Sequence, residues 1–123
     1  MRENELGRRV TKALRDQGAM VYPLWAGTMV PEGWPDKLVW SPIWHGLLEL
    51  KAASGSLRSS QIFVLKQLWE RCPGRVWVVY GTNSEYVAVH HPADGLRLMW
   101  EGPVNCLLKE LEKLCSSSSE TGR

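Results

Sequence analysis

Gly33-Trp34-Pro35-Asp36-Lys37-Leu38-Val39-Trp40-Ser41-Pro42-Ile43-Trp44-His45-Gly46-Leu47-Leu48-Glu49-Leu50-Lys51 reads as a β-hairpin. Leu38 to Trp40 and Leu47 to Leu50 are apolar, strand-like runs, and Ser41-Pro42 between them is turn chemistry. Two carboxylates and a lysine stand where an ordinary core hairpin carries none. With a two-residue loop centred on Pro42-Ile43, Ser41 faces Trp44 and Asp36 falls opposite Glu49. Opposed residues share a sheet face, with Cβ atoms roughly 5 Å apart. Strand alternation adds Lys51 to that face. A four-residue loop pairs Asp36 with Lys51 and still brings the three together, whereas an odd-length loop sends Asp36 to the other side. Pro42 suits a primed two-residue turn poorly, so the sequence leaves the register open.

Two carboxylates at that separation repel, and one takes up a proton unless a cation joins them. A hard divalent ion is the usual partner, since Mg²⁺ accepts one or two carboxylates together with water and phosphate oxygens. The competing reading is a surface cluster in which Lys51 neutralises Glu49.

Pro35-Asp36, twelve intervening residues, and then Glu49-Leu50-Lys51 resemble the PD-(D/E)xK signature of the restriction-endonuclease-like nucleases. Gly33-x-Pro35-Asp36 and Ser59-Ser60-Gln61 narrow the likeness to the stand-alone VRR-NUC domains, to which Holliday junction resolvases are similar. The likeness covers roughly Glu3 to Gly81. It implies a mixed α/β sheet flanked by helices and a Mg²⁺- or Mn²⁺-dependent endonuclease acting on branched DNA. The metal oxygens implied are Asp36, Glu49, the Leu50 carbonyl and a first-helix glutamate, with Lys51 and Gln61 completing the catalytic set. It also implies a homodimer, because symmetric cutting of a two-fold junction calls for two sites related by a two-fold axis. Exposed tryptophans and the last helix are the interface candidates. A nuclease of flap, nicking or restriction-type specificity, and a DNA-binding subunit that keeps the fold without cutting, are the alternatives.

The rest of the chain is read around that hairpin. Arg2 to Gln17 is helical, with Leu6, Val10, Ala13 and Leu14 on one face and Gly18 as a stop. At about 100° per residue, Glu3 lies on this stripe and Glu5 to its side. We therefore assign the first-helix ligand to Glu3, although both glutamates also complement the helix dipole. Arg8, Arg9, Lys12 and Arg15 make a basic flank. It suits a DNA backbone, with Arg58 as a further contact, and reads equally as a solvated face. Met20 to Trp25 is a strand ended by Pro23. Ala26 to Gly33 is a loop placed to close over substrate. A helix from Ser59 to Cys72 puts Gln61 on its apolar stripe, where a polar side chain needs a partner. Val76 to Tyr80 is a strand buried on both faces and parallel to the Glu49 strand, and Glu85 to His90 is a further strand. His90-His91 lacks a third ligand at useful spacing and reads as structural. Pro103 to Cys115 is a closing helix, and Ser116 to Arg123 a disordered tail.

The 123 residues form one domain over 1–115, and the net charge of +2 leaves DNA affinity to local charge placement. Seven tryptophans are many for this length and point to a core or an interface. Cys72, Cys106 and Cys115 show neither disulfide nor zinc spacing, which suits a reducing cytoplasm. No apolar stretch approaches membrane-spanning length and no signal peptide is evident, so no membrane partner is expected. There is no Gly-rich phosphate loop and no Ser/His/Asp or Cys/His arrangement.

Overall fold

The computed structural model describes residues 3–24, 30–83 and 85–121. Helix α1 (Glu3–Asp16) leads into strands β1 (Met20–Pro23), β2 (Lys37–Trp40) and β3 (His45–Ala52). Helix α2 (Ser59–Arg71) crosses to β4 (Val76–Gly81), and β5 (Tyr86–His90) and β6 (Leu98–Pro103) follow. A 3₁₀ turn at Val104–Cys106 then opens α3 (Leu107–Thr121). The six strands form one sheet in chain order. Only β3 and β4 pair in parallel, as their joining helix requires. This is the expected mixed α/β architecture.

The hairpin takes the register of the two-residue count. Lys37 pairs with Leu48 and Trp40 with His45, so Asp36, one step beyond the ladder, stands opposite Glu49. The Ser41 hydroxyl makes this turn possible without a primed geometry. It accepts the backbone N–H of Trp44 at 3.0 Å and donates to the Trp44 carbonyl at 2.7 Å. That side chain replaces the ladder bonds that Pro42 cannot supply.

Alternation sorts the rest. Leu48 and Leu50 on β3 and Trp77 and Val79 on β4 face α1 and α3, where they meet Leu6, Val10, Leu14, Leu107, Leu108 and Leu111. Val76 and Val78 point the other way, onto Leu65 of α2. The indoles of Trp44 and Trp77 both donate to the Gly74 carbonyl, at 2.9 and 3.0 Å. Two fully buried indole donors are thus satisfied at one point.

Two expectations need correction, both in the last quarter of the chain. Leu98–Pro103 is a strand, although its Glu101-Gly102-Pro103 ending breaks the apolar alternation. Gly102 is required there because the Trp100 ring lies over it, where a Cβ would collide. Pro103 therefore ends a strand rather than opening a helix, and α3 starts at Leu107. That helix also runs on past Cys115 to Thr121, through serines expected in a disordered tail. Serine costs only a few tenths of a kcal/mol in a helix that is already nucleated. Of the Ala26 to Gly33 loop, the first half, residues 26–29, lies outside the described residues. Its described end packs on α2, where a Cβ on Gly33 (φ +91°) would come 3.0 Å from the Ser60 carbonyl oxygen.

Among the described residues no helix is long and apolar enough to cross a membrane. His90 and His91 are structural, as expected. The Nδ1 of His91 accepts the backbone N–H groups of Ala93 and Asp94, and its ring packs against Trp69.

Candidate active site

Strand β2 stops at Lys37, one residue short of Glu49, which leaves the far half of β3 without a partner on that side. Asp36 fills this gap. The Leu50 backbone N–H, which would otherwise lack a ladder partner, lies by the Asp36 carboxylate and favours its charged form. A strand residue's N–H and C=O point to the same side, so the Leu50 carbonyl opens into the same gap. The Asp36 main chain is held from the other side, where its carbonyl accepts the Leu24 N–H at 2.8 Å.

Glu49 lies on the α2 side of β3 and is only 4 % exposed. Gln61 in the first turn of α2 donates to its Oε2 at 3.1 Å, and the Arg58 N–H donates to the Gln61 Oε1 at 2.9 Å. The polar residue on the apolar stripe therefore has its partners, and one of them is the acid on the hairpin's second strand. Lys51 follows on the same face, half-buried, with its Nζ 4.0 Å from the Glu3 carboxylate.

These surroundings oppose ionisation. Burial raises the Asp36 carboxyl to about 6, against a smaller opposing pull from Lys37. Burial, and then the neighbouring Asp36 charge, raise Glu49 to about 8, with Lys51 pulling the other way. The Asp36 Oδ1 is buried without a hydrogen-bond partner. An orphaned acceptor beside a second carboxyl that resists charging is the environment a divalent ion would complete. Among the described residues no three His, Cys, Asp or Glu side chains gather as a metal cage. The donor set that fits is thus a pair of carboxylates with a backbone carbonyl, which suits an ion that keeps most of its water.

A groove of about 880 Å³ runs from Asp36, Lys37 and Leu50 along α1, past Glu3, Asn4, Gly7, Arg8, Thr11, Lys12 and Arg15. The expected basic residues divide on its rim. Arg8 and Lys12 line it freely exposed, and Lys12 also pairs with Asp16 at 2.8 Å. Arg15 lines it too but spends one N–H on the Val21 carbonyl at 3.0 Å. Arg9 instead borders a recess with Glu5, away from Asp36. Arg58 caps the start of α2 and faces Glu32 at 3.7 Å. Two neighbours of the site were not foreseen. Lys37 exerts the largest opposing charge on Asp36. Tyr80, paired with Lys51 across the parallel ladder, has its hydroxyl raised by burial and then by the nearby Glu49 charge. The only signal for Tyr80 is a polar tip at the end of an otherwise apolar run.

The backbone compares with a solved structure of Hjc, a Holliday junction resolvase from the archaeal hyperthermophile Archaeoglobus fulgidus. The two superpose with a TM-score of 0.57 over 85 % of this chain and 92 % of that one, at 12 % sequence identity. The chain has the fold of that resolvase. At this identity the likeness carries the architecture and not the chemistry. No family model matches the sequence, and no curated protein does.

Proposed function

We propose that this chain is a Mg²⁺- or Mn²⁺-dependent endodeoxyribonuclease of the PD-(D/E)xK superfamily, of the stand-alone VRR-NUC kind. It hydrolyses phosphodiesters in branched DNA, Holliday junctions above all, and works as a homodimer. The observation that carries this reading is the acid pair. Asp36 and Glu49 face each other at the end of β2, both held back from ionising, with an orphaned carboxylate oxygen between the strands. The resolvase fold supports the choice of a branched substrate.

In this reading Asp36, Glu49 and the Leu50 carbonyl hold the ion, and Glu3 stands close by. When bound, the ion supplies a Lewis acid for the scissile phosphate and a water of lowered pKa. Lys51 is a compact cation on the same face and balances charge growing on the phosphate oxygens. Gln61 fixes the Glu49 carboxylate and so positions the pair. Arg8, Lys12 and Arg15 give the groove leading to Asp36 a cationic wall along which a phosphate backbone displaces counterions.

The test is cleavage of a panel of four-way junction, flap, nicked and linear duplex DNA in Mg²⁺ and in Mn²⁺. Preferential junction cutting, lost in Asp36→Asn without loss of junction binding, is expected. Binding with no cutting in either metal would leave a non-catalytic DNA-binding subunit, and equal cutting of every form would remove the junction preference.

A further inference from the structure

Gly7 sits inside α1, where glycine is a poorer helix former than any residue but proline. Two structural reasons commonly keep a glycine in such a place, and neither applies. Its φ is not in the left-handed region, and a Cβ built on it would meet no atom within 4 Å. The open space around that missing Cβ belongs to the groove that leads to Asp36. A side chain at position 7 would therefore stand in the groove rather than pack in the fold.

Helix phase shows what borders the bare position. At about 100° per residue, Gly7 and Thr11 fall between the buried Leu14 and the exposed Arg8 and Lys12. Both are half-buried, so they make the floor of the groove where α1 meets the sheet, and Arg8 and Lys12 make its outer rim. Asn4 one turn earlier and Thr11 one turn later bracket the gap with an amide and a hydroxyl. Among the described residues neither of these side chains makes a hydrogen bond. Lys37, beside Asp36, adds a cation on the opposite wall. From Glu3 to Arg15 the groove follows α1 for about 18 Å, at about 1.5 Å per residue. That is too long for one small anion and suits several successive phosphates.

We propose that Gly7 is the close-approach point of a strand-binding subsite. The sugar–phosphate strand on one side of the scissile phosphate runs over the bare α1 backbone there. Asn4 and Thr11 donate to its oxygens, and Arg8 and Lys12 flank it from outside. The inference rests on the nuclease reading and deepens it, by naming where the substrate strand touches the chain most closely. Glycine lets that strand lie a side chain's depth nearer to the helix than any other residue would. The helix gives up propensity at this one position and the groove keeps its depth. Binding by a merely basic face makes a different demand, since it depends on charge and not on the shape at position 7.

Binding of a fluorescent four-way DNA junction in EDTA, beside thermal melting of each variant, tests this without metal or cleavage. Gly7→Ala should melt about 2–5 °C above the wild type and yet bind more weakly. Gly7→Leu should weaken binding by on the order of ten-fold or more, the worth of one hydrogen bond to a charged oxygen, and melt no lower than the wild type. Arg9→Leu removes a charge from the flank that faces away from Asp36. It should cost less than Gly7→Leu, although only Arg9→Leu changes the net charge. A Gly7→Leu protein that binds like the wild type, or an Arg9→Leu protein that loses more, overturns this inference and leaves the nuclease reading standing. So does a Gly7→Ala protein that melts below the wild type, since glycine would then serve the fold. A wild type that binds no junction overturns both.

Discussion

The face of the sheet under α1 and α3 and the face under α2 are built from the same strands by the same alternation, yet they differ in kind. The first is closed and apolar: Leu48, Trp77, Val79, Leu108 and Leu111 are fully buried there. The second holds the buried Glu49 and Gln61 and leaves β1 and β2 open. Burying a carboxyl costs free energy unless it is paired, and here the nearest carboxyl is another acid. The contrast teaches that one face supplies the stability while the other buries two neighbouring carboxyls in surroundings that oppose their ionisation.

That division predicts opposite responses to substitution. Leu108→Ala on the closed face should lower stability by about 2–5 kcal/mol in chemical denaturation and leave the cleavage rate per folded molecule unchanged. A fall in specific activity would mean that the closed face reaches into the site. On the other face, Asp36→Asn or Lys51→Ala should lower cleavage by on the order of a hundred-fold or more. Neither should lower the denaturation midpoint, and Asp36→Asn, which removes a carboxyl that burial holds back from ionising, should raise it above about pH 6. Retained activity in either variant would take that residue out of the mechanism.

The acid pair should also give the metal-free protein an unusual pH dependence. Glu49 ionises near 4.5 when free and at about 8 in the fold, and Asp36 moves from 3.8 to about 6. The native state therefore keeps protons that the unfolded chain has already released. Stability is complete below about pH 4 and falls as pH rises through 6 and 8. Glu49→Gln keeps an acceptor for Gln61 and removes the charge. At pH 8 it should be more stable than wild type by several kcal/mol, at most about 4–5 for a shift from 4.5 to about 8 at about 1.4 kcal/mol per pKa unit, and inactive. A wild type whose stability is flat or rises between pH 5 and 8 would break the comparison. The smallest effect concerns Gly7, inside α1 on the groove wall, where a Cβ would meet nothing within 4 Å. Gly7→Ala should add about 0.5–1 kcal/mol of stability, since neither packing nor backbone conformation requires glycine there.

Much of this was readable from residues alone. Asp36, Glu49 and Lys51 share a surface for every even loop length, so their convergence did not depend on solving the turn. Helix phase was enough to put Glu3 by Lys51 and Glu5 by Arg9, and an apolar stripe was enough to show that Gln61 is buried. The failures lie where side chains override pattern. Ser41 replaces ladder bonds at the turn, Trp100 folds over Gly102 to make β6 from an unpromising sequence, and the serines after Cys115 continue a helix started elsewhere. Arg9 and Arg15 looked equivalent to Arg8 in the sequence, yet one faces away and the other is tied to β1. Which strands α2 leaves uncovered depends on helix placement, which periodicity does not encode.

The central claim is that Asp36 and Glu49 act as one divalent-ion site, and calorimetric titration of Mn²⁺ into the DNA-free protein at pH 7, in two buffers of different ionisation enthalpy, tests it most directly. The account predicts one ion per chain with net proton release, because Glu49 is still largely protonated at that pH, and loss of the binding in Asp36→Asn. Binding of equal strength in Asp36→Asn, or no binding by the wild type at millimolar Mn²⁺, would contradict it.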